Sequence, residues 1–202
     1  MNGGAIDATQ NRDASDVSRV PAPPDVVIIP GTGSADLLQM TMRELIAGSH
    51  DVAFAIERVR LPALHMVADI LPKLERCRMT LARLDAHSLD AGGRGDAEHR
   101  HSLERLLEFA RSGRLEIRSA GAIRWEPDFS LFHMNDPACG TFCLFGAHYL
   151  APPHVGIDWP LTCVFSRRSA VRRAVQHYES LWAAAHDALG AVTDTLERQL
   201  CA

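Results

Sequence analysis

The sequence predicts an α/β fold, a mixed β-sheet flanked by helices in a single domain, and three features carry that expectation. Short apolar runs alternate with helix-spaced apolar faces through the first half of the chain, the rhythm of strand–helix units with parallel strands. From Phe129 the rhythm changes to strand-like runs with no helix between them, as in a hairpin-like extension of the same sheet. A long amphipathic stretch from Ser169 closes the chain. At 202 residues and 47% hydrophobic content, the chain can bury one such core.

Residues 1–24 are rich in Asn, Asp, Ser, Gly and Ala and end in Pro21-Ala22-Pro23-Pro24. They cannot offset their own ordering entropy and are expected to form a disordered tail. Residues 25–190 then form the domain, and 191–202 a C-terminal helical extension. Val26-Val27-Ile28-Ile29 reads as a strand buried on both faces. Ser34 can cap a helix reaching Ala47, with Leu38, Met42 and Leu45 on one face. The turn between them, Gly31-Thr32-Gly33-Ser34, stands where phosphate loops stand but lacks a full dinucleotide pattern or a Lys-Ser/Thr ending, so a tight turn is expected.

Val52 to Ile56 is the next strand, and Pro62 opens a helix carrying Leu64, Val67, Ala68 and Leu71 that Pro72 should kink or end. Met79 to Leu84 makes a third strand, followed by a flexible loop at Ala91-Gly92-Gly93-Arg94-Gly95. Leu103, Leu106, Leu107 and Ala110 mark a helix stopped by Gly113, and Leu115 to Arg118 a fourth strand. Phe129 to Phe132, Thr141 to Phe145 and Leu161 to Phe165 are the later strands. In the last long helix Val171, Val175, Tyr178, Leu181, Trp182 and Ala185 share a buried side, and Val192, Leu196 and Leu200 keep helical spacing beyond Gly190.

The net charge of -4 argues against a wholly electrostatic nucleic-acid binder and leaves room for a local basic patch. One stands at the start of the last helix, in Arg167, Arg168, Arg172 and Arg173, and reads either as a solvated helix end or as a phosphate or nucleic-acid contact. Five scattered cysteines suit reduced thiols. With no apolar run of membrane-spanning length and no secretory pattern at the N-terminus, a cytoplasmic protein without a membrane partner is expected.

Cys139, Cys143, His148 and His154, with His133 nearby, are zinc-ligand types at a spacing that matches no standard finger; a buried thiol at Cys143 is the competing reading. His133, Asp136 and His148 are candidates for an acid–base cluster. His50, His65, His87, His99, His101, His177 and His186 show no grouping in the sequence, and there is no Gly-x-Ser-x-Gly nucleophile pattern.

Two stretches carry a resemblance. Trp125-Glu126-Pro127-Asp128-Phe129-Ser130-Leu131-Phe132 is similar to the Phe-His-Pro-Lys-Phe-Tyr-Leu-Phe strand of the phospholipase D superfamily, and Leu144-Phe145-Gly146-Ala147-His148-Tyr149-Leu150 to its Ile-Gly-Ser-Ala-Asn-Leu strand end. Together with the order of elements, residues 25–188 resemble one repeat of that superfamily. Its motif is His-x-Lys-x4-Asp, in which the His attacks phosphorus and the Lys neutralises the phosphoryl oxygens. By position Glu126 stands at the His and Asp128 at the Lys. Strict spacing puts His133 at the motif's Asp, with Asp136 the alternative if the turn carries an insertion. The motif's Gly-Ser falls on Gly146-Ala147 or on Gly140-Thr141, and the apolar strand before Gly146 favours the first.

The resemblance therefore implies a catalytically degenerate domain acting as a binding, regulatory or assembly module with no cofactor. A unit charge about 4 Å away is worth about 4 kcal/mol at an effective dielectric of ~20, so an aspartate in place of the lysine opposes phosphate strongly. The alternative is a phosphodiesterase or nuclease rebuilt on His133 or His148, with Mg²⁺ or Mn²⁺ held by Glu126, Asp128 and Asp136. A third reading is zinc at the Cys139–His154 run. In the superfamily two motifs meet across a pseudo-dyad, so one repeat implies a homodimer or a subunit of a larger complex, with nucleic acid reached through a partner.

Overall fold

The computed structural model describes residues 26–29, 35–57, 67–82, 97–121, 128–146 and 162–201. The expected tail, the loop at 91–95 and the start of the helix at Pro62 lie outside the described residues. One eight-stranded mixed sheet runs through the molecule, in the order β1-β7-β6-β5-β2-β3-β4-β8. Its strands are β1 Val26–Ile29, β2 Ser49–Ile56, β3 Arg76–Leu81, β4 Leu115–Ser119, β5 Phe129–Met134, β6 Thr141–Phe145, β7 Thr162–Phe165 and β8 His186–Asp187. Of the strands read in alternation with helices, β2, β3 and β4 form a parallel trio, whereas the first, β1, pairs antiparallel with β7. All other pairs are antiparallel, as a hairpin-like extension requires.

Helices α1 (Ala35–Ala47), α2 (Ala97–Arg111) and α4 (Leu189–Leu200) and a 3₁₀ turn at Leu71–Lys73 share one core with one face of the sheet. Helix α3 (Arg168–Ala184) packs on the other face. The alternation of β2 explains the division: Val52, Phe54 and Ile56 point into the first layer, Ala53 and Ala55 towards α3. Gly113, at φ 75°, ends α2 in a left-handed turn that other residues resist. Helix α4 begins at Leu189, so Gly190 is its second residue rather than a boundary. Its Val192 and Leu196 are buried in the main core, and its Glu197 meets Arg111 of α2 at 2.7 Å.

Several elements differ from the sequence reading. Strand β1 is not buried on both faces: it ends the strand order beside β7, and its Val26 and Val27 are 42% and 43% exposed, as on an edge strand. Pro72 does not end a helix but lies inside the 3₁₀ turn, where its missing N–H is not needed. Strand β3 starts at Arg76, ahead of the expected Met79, because Arg76 and Arg78 occupy one face of the strand while Cys77 and Met79 fill the other. Strand β8 is two residues long, held by pairing with Arg118 and Ser119, and carries no hydrophobic pattern of its own. No described helix is long and apolar enough to cross a membrane.

The register fixes two edges that matter for function. Ile29 lies beside Thr162, Phe145 beside Cys163, and Phe129 beside both Phe145 and Ala55. The ends of β1, β2, β3, β4 and β6 therefore share one edge with the starts of β5 and β7, here termed the carboxyl edge. The β5–β6 turn and the starts of β2, β3 and β4 form the opposite edge.

Candidate functional site

In open α/β sheets, ligands bind outside the carboxyl ends of the parallel strands, which directs attention first to the carboxyl edge. Asp128 leads into β5 there. Its carbonyl accepts a hydrogen bond from the Gly146 N–H at 3.0 Å, and its Oδ1 accepts one from the Glu57 N–H at 2.7 Å. This carboxylate, expected from the resemblance at the motif's lysine, ties the exit of β2 to the entry of β5. Gly146 turns away from β6 at φ 116°, a conformation that side chains with a Cβ resist. Gly140 lies on the opposite edge, where its carbonyl accepts from Met134, so of the two glycines it is Gly146 that shares an edge with Asp128. Glu126, His148 and His154 lie outside the described residues.

Strand β5 runs unbroken to Met134, with His133 paired to Thr141. Five residues of extended chain at ~3.3 Å each separate it from Asp128, a span of about 16 Å. Asp136 lies beyond it in the β5–β6 turn, where its Oδ1 accepts the Ala138 N–H at 2.9 Å and shapes the turn. His133 and Asp136 are therefore at one end of β5, and Asp128 and Gly146 at the other. Asp128 and Asp136 cannot share one ion across that span. Among the described residues, no three His, Cys, Asp or Glu side chains gather to hold a metal. Cys139 is exposed in the turn, whereas Cys143 is buried on the α3 side. Burial pushes the Cys143 thiol up to about 12, which disfavours the thiolate that zinc needs.

Strand pairing also assembles a group that the sequence reading missed. His133 lies opposite Asp51 in the β2–β5 ladder, and its ring centroid is 6.4 Å from that of His50. His133 Nδ1 is 2.9 Å from Thr141 Oγ1. Arg78, only 7% exposed, donates to Glu179 of α3 at 2.9 Å and places its other terminal nitrogen 3.9 Å from Asp51. Its guanidinium lies over the Tyr178 ring at 5.1 Å and the Trp182 ring at 5.8 Å. Burial opposes the Arg78 charge, yet the hydrogen bond to Glu179 and the fields of Tyr178 and Asp51 raise its pKa above the ordinary value. Burial lowers the His133 pKa, against the pull of Asp51, so its imidazole is neutral at neutral pH. Asp51 Oδ1 and Arg78 Nε are buried there without a hydrogen-bond partner.

His50, Asp51, Arg78, His133 and Glu179 come from four elements, and no spacing in the chain joins them. The one signal available was the alternation Arg76-Cys77-Arg78-Met79-Thr80-Leu81, a strand with one wholly polar face. The basic patch, by contrast, lies where the sequence placed it: Arg167 precedes α3, and Arg168, Arg172 and Arg173 occupy its first turns, all exposed.

Comparison with known proteins adds the fold. No protein-family model and no curated protein matches the chain. Solved structures do. TrmBL2, an archaeal chromatin protein whose structure shows a novel mode of DNA binding, aligns at TM-score 0.52 and 12% identity over 86% of this chain and 57% of its own. NucT from Helicobacter pylori aligns at TM-score 0.52 and 6% identity over 81% of this chain and 98% of its own. Nuc from Salmonella typhimurium, a phospholipase D family member, aligns at TM-score 0.48 and 9% identity over 81% and 95%. The fold is phospholipase D-like. This chain spans little more than half of TrmBL2 and nearly all of NucT, and at such identities the likeness concerns the fold alone.

Proposed function

We propose that this phospholipase D-like domain is catalytically degenerate and serves as a binding, regulatory or assembly module, self-paired or within a larger complex. The same fold occurs in a chromatin protein and in NucT, so architecture does not choose between module and enzyme. Asp128 carries the choice. The superfamily's lysine would present a cation to a phosphoryl group; here the position holds a carboxylate, engaged by the Glu57 backbone at 2.7 Å, which repels phosphate and is committed to the fold.

A second reading rests on the grouping at the opposite edge. A neutral His133 imidazole opposite the Asp51 carboxylate, with His50 nearby, has the composition of a proton-transfer pair and supports a rebuilt phosphodiesterase or nuclease. One experiment separates the two: hydrolysis of a generic phosphodiester and of single- and double-stranded DNA, comparing EDTA, Mg²⁺, Mn²⁺ and Zn²⁺, with His133→Ala as control. No turnover under any condition is expected. Turnover that disappears in His133→Ala would replace the module with an enzyme, and its dependence on added metal would identify the cofactor. The mass of the protein in solution tests self-pairing.

A further inference from the structure

The four arginines at the head of α3 stand out from the chain's other arginines. Among the described residues, most other arginines hold oxygen partners: Arg43 pairs with Asp69, Arg76 with Glu116, Arg78 with Glu179 and Arg111 with Glu197, while Arg114 and Arg118 donate to the carbonyls of Pro72 and Trp182. Among the described residues, Arg167, Arg168, Arg172 and Arg173 hold none, and Arg105 is the one other arginine in that condition.

Their placement is also unfavourable for the folded chain by itself. A helix favours anions at its first turn and a capping oxygen at its N-cap. Helix α3 has no acid in its first turn, and Arg167 at the N-cap makes no side-chain cap. Arg168 and Arg172 stand four residues apart, a like-charge pair on one flank of the helix. Nothing in the fold requires these charges: the buried side of α3 is formed by Val171, Tyr178 and Trp182, and the arginines are exposed. A chain of net charge -4 therefore concentrates unpaired, mutually repelling cations at one place.

We propose that this patch binds the phosphate backbone of duplex nucleic acid, without reading bases. A row of fixed phosphates relieves both the like-charge repulsion and the conflict with the helix dipole. All four cations are arginine, whose planar fork grips phosphate oxygens bidentately. An anionic membrane fits less well, because surface-lying helices insert apolar side chains beside their cations, and the exposed large hydrophobics of the described chain, Val26, Val27, Met40 and Phe145, are not on α3. The patch follows the end of β7 that points away from the carboxyl edge, so this role stands whether or not that edge retains any chemistry.

The test is fluorescence anisotropy of a labelled mixed-sequence DNA duplex of about 20 base pairs with the full chain in EDTA, from about 50 to about 200 mM salt. Binding with a log–log salt slope of about -3 to -4 is expected if four phosphates are engaged. The variant Arg168→Gln/Arg172→Gln/Arg173→Gln should lose at least about tenfold in affinity and flatten the slope by about 3, while melting no lower than the parent. The corresponding triple lysine variant, which keeps the charge and loses the fork, should keep the parent's salt slope and bind between the parent and the glutamine variant, which separates charge from any effect of substitution on folding. Absence of duplex binding at the lowest salt overturns the proposal, as does a glutamine variant that binds like the parent. Preferential capture of phosphatidylserine vesicles or of polyglutamate over the duplex overturns it too, and assigns the patch to a membrane or an acidic protein.

Discussion

The two faces of the sheet are built on different principles although they share the same strands. On the face covered by α1, α2 and α4, β2 presents Val52, Phe54 and Ile56, β3 presents Cys77, Met79 and Leu81, and every one of these is at most 1% exposed. On the other face the same strands present Asp51, Ala53 and Ala55 and then Arg76, Arg78 and Thr80. Small alanines on the central strand, Ala53 and Ala55, share a buried cluster with Val171, Tyr178 and Trp182 of α3. The approach is then secured by charge and stacking: Arg118 donates to the Trp182 carbonyl at 2.8 Å and lies 4.3 Å from its ring centroid, while Arg78 covers Tyr178 and pairs with Glu179. The first face is held by a large apolar core, which is nondirectional; the other joins a smaller apolar cluster, in which Phe129, Leu131 and Cys143 meet Val171 and Trp182, to a few directed contacts that fix the position of a helix carrying the chain's basic patch.

The largest expected effect belongs to the apolar face. Phe54 is wholly buried and packs edge-on against Phe132 at 6.3 Å. Phe54→Ala should destabilise the protein by about 3–5 kcal/mol, the loss of a buried aromatic plus an uncollapsed cavity, read as a lower urea midpoint. A change below about 1 kcal/mol would show that this layer is loosely packed and would remove the contrast between the faces.

Arg78→Met breaks the polar face in a different way. It keeps the length of the side chain while removing the cation between Asp51 and Glu179. Truncating one partner of a fully buried pair costs about 3–5 kcal/mol, but the Glu179 side chain is 51% exposed and can return to water, so about 2 kcal/mol is expected. Adding Asp51→Asn should recover part of that loss, because the carboxylate left without its cation is then neutral. If the double variant is as unstable as the sum of the singles, Arg78 acts through packing on Tyr178 and Trp182 rather than through charge.

The same division explains what could be read from the sequence. The apolar face was legible because its residues follow the strand and helix periods: β6 was expected at Thr141 to Phe145 and is found there, and Leu103, Leu106, Leu107 and Ala110 all lie on the buried side of α2. On the other face the buried side of α3 was legible too, in Val171, Tyr178 and Trp182, but the charged cluster beneath it was not. Arg76 and Arg78 concealed the start of β3, and His50 was left ungrouped because only the antiparallel pairing of β2 with β5 brings it to His133 across 83 positions of sequence. The carboxyl edge was partly legible. Matching Trp125 to Phe132 and Leu144 to Leu150 against the superfamily's strands identified Asp128 and Gly146, which do meet; spacing alone could not tell that His133 and Asp136 lie a strand's length away. Linear proximity along β5 is distance in space, whereas separation between β2 and β5 is not.

The smallest effect is the most informative about the polar face, since it reports the charge environment rather than the packing. His133 faces Asp51 across the ladder, with Arg78 and His50 beside it and Glu179 reaching in from α3. Burial lowers its folded pKa beneath the ordinary 6.5, so between the two values the unfolded chain holds the proton more tightly. Stability from this residue is thus complete above about pH 6.5 and declines as the pH falls through that window towards the folded value. Comparing urea midpoints at about pH 7.5 and about pH 5, the wild type should lose more stability on acidification than His133→Gln, by less than the Arg78→Met effect. The variant comparison cancels the titration of the other histidines. The opposite ordering, with the wild type gaining on acidification relative to the glutamine variant, would mean that the Asp51 carboxylate outweighs burial and holds a proton on His133; the pair would then be an ion pair in the folded state, and the face beneath α3 would carry two buried cations instead of one.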